Sequence, residues 1–179
     1  MDHACATRRR LKVGTPLRPG KLLDTAEFRR ILGHWATGVA VVTARTPEGH
    51  PCGLTANAIA SVSLEPPLVL ACIEHRSHTH ECILGSGAFA LAVLDDAQER
   101  LARRFAGDQP DPKFEGVAFR EERTGAPVLE DALAWLDCRL WQAYPGGDHT
   151  IFVGEVLAAG TRTGAPLLFY RGGYGGLRP

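Results

Sequence analysis

Residues 133–144 (LAWLDCRLWQAY) and 149–160 (HTIFVGEVLAAG) are two runs of twelve residues, rich in aromatic and branched side chains. Pro145, Gly146, Gly147 and Asp148 lie between them. Glycine-rich punctuation between two such runs predicts a long antiparallel hairpin. Other short segments read the same way. VAVVTAR (39–45) is β-branched, TPEG (46–49) is a turn, and the chain is expected to double back through 50–56. Pro66-Pro67 excludes helix and leads into PLVLACI (67–73), with AFALAVL (88–94) and PLLFY (166–170) as further strands and 117–122 as a candidate. Helices are few and short. Asp24 caps one over 24–35, whose apolar face is Phe28, Ile31, Leu32 and Trp35; a second is expected over 77–84 and a third over 95–106, with 107–116 a loop. Six to eight strands and two or three short helices, dominated by hairpins, favour a mainly β fold, a closed or partly closed barrel rather than a parallel α/β sheet.

The 179 residues suit one domain and need no metal or disulfide staple to build a core. Twenty basic residues balance 20 acidic ones, which weighs against nucleic-acid and membrane-surface partners and leaves little self-repulsion to oppose association. Arg8, Arg9, Arg10, Lys12 and Arg18 mark residues 1–22 as a basic, solvated, disordered tail with no secretory apolar run. The five cysteines are odd in number and form no CxxC; Cys72 and Cys138, in apolar runs, read as buried thiols, and the cytoplasm is the expected compartment.

Cys72, His75, His78, His80 and Cys82 form the densest polar cluster. On a helix His78 and Cys82 share a face while His80 points elsewhere and Cys72 falls in the preceding strand, so no metal site is assigned. The same stretch suits an anion: Ser77, His78 and Thr79 open a helix whose free N–H groups attract phosphate, although Ser77 is equally a plain cap. GLTANAIASVS (53–63) sets Thr55, Asn57, Ser61 and Ser63 among small residues, either as a turn-rich loop or as a stretch that a flat ligand approaches closely. GxGxxG, Walker A and GxSxG motifs are absent. His149, at the hairpin turn, is an acid–base candidate or surface decoration, and FYRGGYGG (169–176) offers Tyr170, Tyr174 and Arg171 to a nucleotide.

Eight blocks in order resemble the short-chain flavin reductases that serve two-component flavin-dependent monooxygenases. They are FRRILGHWATGVAVVTA (28–44), GLTANAIASVSLEPPLVLAC (53–72), GAFALAVL (87–94), RRFAG (103–107), KFEGV (113–117), LAWLDC (133–138), GGDHTIFVGEV (146–156) and PLLFYRGGYGGL (166–177). The blocks SLEPPLVL and PLLFYRG look like the reductases paired with aromatic-ring hydroxylases. The resemblance implies an FMN-binding split β-barrel over residues 23–179, a homodimer, and FMN or FAD near the dimer interface. Thr55, Asn57 and Ala58 match the segment along the flavin ring and ribityl chain, and Cys72, Ile73 and Glu74 match a second flavin-contacting stretch. His78 and Thr79 correspond to phosphate-side positions, while Arg104 and Phe105 match another flavin-contacting pair. His149 matches a histidine near the nicotinamide; Phe169, Tyr170, Arg171 and Gly172 match a pyridine-nucleotide segment. Ala58 and Ala92 stand where many relatives carry Ser and Asn.

The expected activity is NAD(P)H:flavin oxidoreduction, with reduced flavin passed to a separate monooxygenase. Because no arginine cluster for a 2′-phosphate is evident, NADH is preferred to NADPH. The alternative is a flavin-binding electron carrier or redox sensor of the same fold without turnover.

Overall fold

The computed structural model describes residues 23–107 and 113–177, so the expected basic tail and part of the 107–116 loop lie outside the described residues. Helix α1 (Thr25–Leu32) opens the described chain, with the Asp24 carboxylate accepting the Ala26 N–H. Glu27, in the first turn, pairs with Arg30 at 2.7 Å. There follow strands β1 (Thr37–Gly38), β2 (Ala40–Arg45), β3 (Pro51–Ala56), β4 (Ile59–Leu64) and β5 (Pro67–Glu74). Helix α2 (His78–Ser86) leads to β6 (Ala88–Val93) and, after one 3-10 turn, α3 (Glu99–Ala106). The last elements are β7 (Phe119–Glu121), β8 (Pro127–Leu129), β9 (Ala134–Gly146), β10 (His149–Thr161), β11 (Leu168–Tyr170) and β12 (Gly173–Gly175).

The predicted hairpin is β9–β10, joined by Gly147-Asp148 with Gly147 at φ 81°, the glycine that a II′ turn requires first. It stands in the middle of a seven-stranded antiparallel sheet of order β3-β2-β6-β9-β10-β5-β4. The two edge strands of this sheet are consecutive in the chain, linked only by Asn57 and Ala58. Three Cα–Cα steps reach ~11 Å, whereas the edges of a flat seven-stranded sheet stand ~29 Å apart. The sheet therefore curls until β3 and β4 approach each other. Residues 53–63, open to a loop reading from sequence, are the two strands and the junction at which the barrel splits.

Curling makes one face an interior. Val42, Ala44, Val69, Ile73, Phe89, Leu91 and Phe152 fill it, with Ile83 of α2 closing one end. The other face of β2 and β6 is covered by α3 and the chain around β8, through Val39, Val41, Leu94, Phe105 and Leu129. Both faces of β2 are thus covered, which is why Ala40–Ala44 are all buried and its sequence shows no apolar/polar alternation. Gly154 admits the core aromatic: a Cβ there would lie 2.5 Å from Phe89 Cζ and 2.8 Å from Cys138 Cβ. The buried Asp137 carboxylate accepts three hydrogen bonds, from the N–H groups of Arg123 (2.6 Å) and Thr124 (2.8 Å) and from the Thr124 hydroxyl. Among the described residues no helix is long and apolar enough to cross a membrane.

Candidate functional site

The split is a cleft of about 670 Å³, within the range of small-molecule sites. It is lined by Leu32 and Trp35, by β1 with the start of β2, and by Asn57, Ala58 and Cys72. Ala36, Gly38, Ala40, Ala58 and Ala60 line it with nothing larger than a methyl group, so a flat ring system can lie against backbone. Thr37, also in the lining, carries a buried hydroxyl oxygen with no hydrogen-bond partner. A buried polar group without a partner costs roughly 1–3 kcal/mol. The small, apolar lining fits the ring of a flavin.

Strand β5 connects this cleft to a polar rim. Its side chains alternate, with Val69, Ala71 and Ile73 in the barrel core and Leu70, Cys72 and Glu74 on the other face. Of the expected trio, Cys72 and Glu74 share the cleft face, whereas the Ile73 side chain belongs to the core, leaving only its backbone to a ligand. Beyond Glu74, which pairs with Arg76 at 2.8 Å, Ser77 takes the N-cap of α2. Its hydroxyl makes no capping hydrogen bond, so it and the first N–H groups of the helix are available to an anion. Thr79 is buried and His78 exposed. The same turn carries Glu81, whose carboxylate lies 3.4 Å from His80 Nδ1.

The hairpin tip meets this rim. His149 pairs in register with Glu74, the Asp148 carbonyl accepts the His75 N–H at 3.0 Å, and Thr150 Oγ1 lies 2.8 Å from His80 Nε2. His149 Nδ1 is 2.8 Å from the Asp148 carboxylate, which orients the ring. That bond holds the Asp148 carboxyl below its ordinary range. His149 is therefore brought beside Glu74 and the start of α2.

The C-terminal candidates sit beside β1. Phe169 pairs with Thr37 of β1, Tyr170 meets His34 edge-on at 6.3 Å between centroids, and the Arg171 N–H donates to Gly33 O at 2.9 Å. Arg171 at φ 49° and Gly172 at φ 81° make the turn into β12. No hydrogen bond or ring contact joins these residues to His149 among the described residues. Three other expected residues have structural employment. The Thr55 hydroxyl donates to Ala102 O at 2.7 Å, Arg104 donates to Glu115 O at 2.8 Å, and Phe105 is buried against Phe114, 5.0 Å between ring centroids. Ser61 is exposed on the edge strand β4.

Sequence reasoning missed Thr37 and Gly38, and gave Leu32 and Trp35 only as the apolar face of a helix, without a place in the site. In the structure no residue of α1 is buried, and Trp35 is 75% exposed. The available signal was the run of small residues that follows Trp35.

A curled antiparallel sheet, opened between its edge strands over a cleft lined by small residues, defines a split β-barrel built to hold a flat ligand. The family model described as flavin reductase like domain matches residues 32–178, and the chain belongs to that family. It is 43% identical over 157 residues to the reductase component of 4-nitrophenol 4-monooxygenase/4-nitrocatechol 2-monooxygenase from Rhodococcus opacus, a match covering 88% of this chain and 83% of that one. It is 43% identical over 152 residues to an FMN reductase (NADH) of Agrobacterium fabrum, covering 85% and 86% of the two chains. Among solved structures, the NADH:FAD oxidoreductase of Streptomyces globisporus C-1027 superposes with a TM-score of 0.82 at 39% identity, covering 90% of this chain and 100% of that one.

Proposed function

We propose that this chain is an NAD(P)H:flavin oxidoreductase that supplies reduced flavin to a separate monooxygenase, an aromatic hydroxylase in chemical class. The observation that carries the reading is the cleft at the Asn57–Ala58 junction, lined by small and apolar residues. The bound flavin supplies the redox chemistry, taking a hydride from NAD(P)H. The chain's own part is to bind and orient. Small residues let the ring lie on backbone, Trp35 and Leu32 exclude water from one side, and the Ser77 end of α2 attracts the phosphate. His149, held by Asp148, positions the nicotinamide, and residues 169–172 border the entry over β1. FMN and FAD are both admitted, since relatives of equal identity are named for each.

The active form is a homodimer in the cytoplasm. Phe28 and Leu32 on α1, Trp35 just after it, and Val62 and Leu64 on β4 are exposed apolar side chains, Leu64 to 89%. A second copy over this face would bury them and complete the cleft. Oxidation of NADH and NADPH measured in parallel with FMN, FAD and riboflavin tests the activity: turnover with free flavin is expected, and flavin binding without turnover would make the chain a carrier or sensor. Light scattering tests assembly, with about twice the chain mass expected and a monomer that binds flavin fully contradicting it.

A further inference from the structure

Cys52 of β3 and Cys82 of α2 are joined in a disulfide across 30 residues, with their Cα atoms 6.7 Å apart. His78 lies one helical turn before Cys82 on the same face of α2, and one nitrogen of its ring and the two sulfurs all lie within 4.8 Å of one another. Both cysteines are buried and His78 is exposed, so the cluster opens to solvent on the histidine side. We propose that the Cys52, His78 and Cys82 side chains, once the disulfide is reduced, form a binding site for one soft divalent ion of the zinc type.

Two thiolates and an imidazole are the donors such an ion selects, and three protein ligands with an open fourth position suit a water. The geometry is preset from both sides. Helix α2 fixes the His78–Cys82 spacing, and it is pinned to the sheet by Ile83 in the core and by Gly85 against Pro47. Strand β3 presents Cys52 from the facing wall. Neither backbone depends on the disulfide for its hydrogen bonding, so reduction leaves the sulfurs as neighbours that side-chain rotation can part around an ion. The other members of the sequence cluster are excluded by their places: Cys72 faces the cleft, His80 bonds Thr150, and His75 stacks edge-on against His80. The decisive ligand, Cys52, precedes His78 by 26 residues and only the fold brings it in.

The chemistry balances. A dithiol reductant gives two electrons and two protons to the disulfide and is itself oxidised to a disulfide; the ion then displaces the two thiol protons as two metal–sulfur bonds form. The disulfide and the metal site are thus alternative states of one pair, and a thiol-reducing compartment favours the second.

Cobalt(II), a coloured stand-in for zinc, is titrated into the full chain before and after reduction with a phosphine that is then removed anaerobically. One cobalt per chain with thiolate charge-transfer and tetrahedral ligand-field bands is expected after reduction only, displaced by one equivalent of zinc. Cys52→Ser and Cys82→Ser should each abolish the bands, His78→Ala should weaken cobalt at least tenfold, about 1.4 kcal/mol, and Cys72→Ser should keep them. Native mass spectrometry of the unsubstituted chain, with zinc retained only when reduced, covers a variant that fails to fold. A reduced chain without thiolate bands, bands that survive both Cys→Ser changes, or unchanged affinity in His78→Ala would overturn the proposal.

Discussion

Ser77→Ala isolates the phosphate end of the site. A serine N-cap normally accepts a helix N–H, and its loss costs about 1 kcal/mol of stability. Here the hydroxyl makes no capping bond, so alanine should leave α2 and the melting temperature essentially unchanged. What the change removes is a donor to the ligand. A hydrogen bond to a charged group is worth roughly 1.5–3 kcal/mol, so FMN affinity should fall roughly 10- to 150-fold. Riboflavin carries no phosphate and should change by no more than about twofold, the scatter of a neutral surface substitution. The assay is a fluorescence titration of each flavin against each protein, with thermal unfolding alongside. Equal losses for FMN and riboflavin, or no loss for either, would refute the placement of the phosphate at this helix start.

His149→Ala should lower kcat/KM for NADH by on the order of tenfold or more while flavin affinity changes less than about threefold; stopped-flow reduction beside a binding titration measures both. Gly154→Ala forces a methyl against Phe89 and Cys138 and should cost roughly 1–3 kcal/mol, read as a lower denaturation midpoint at unchanged slope. Burial, with the neighbouring Asp137 charge, pushes the Cys138 thiol up to about 12, so at pH 8 only about one part in ten thousand is thiolate. Its side chain is also fully buried, so its alkylation in the native protein, followed by peptide mass spectrometry, should stay negligible until the chain unfolds. Cys72, raised by burial alone, should react first.

How far the sequence reaches can be judged element by element. The β9–β10 hairpin and its glycine turn were legible because period, turn chemistry and length agree. So were β2, β5, β6 and the helix after Ser77, each a short run bounded by Gly, Pro or a cap. Strand β8 was not, since Pro127, Val128 and Leu129 are too few to show a period, yet all three are buried. The apolar stripe of α1 was legible, but what covers it was not: amphipathicity identifies a face and not its partner. Thr55 and Phe105 look like site residues by position, and only the fold shows one bonded to α3 and the other filling the space beside Gly53. The pairing of Cys52 with Cys82 depends on a sheet and a helix meeting across 30 residues, which no local spacing encodes.

The central claim is that flavin is reduced in the cleft at the barrel split. Anaerobic stopped-flow mixing of the flavin-loaded protein with NAD(P)H tests it most directly, run on the unsubstituted chain and on Ala58→Phe, an exposed position where a large ring fills the cleft. The account predicts bleaching of one flavin per nicotinamide consumed in the first, and loss of flavin binding and reduction in the second with its circular dichroism unchanged. Flavin that stays oxidised in the unsubstituted protein, or that is reduced equally fast in Ala58→Phe, would contradict it.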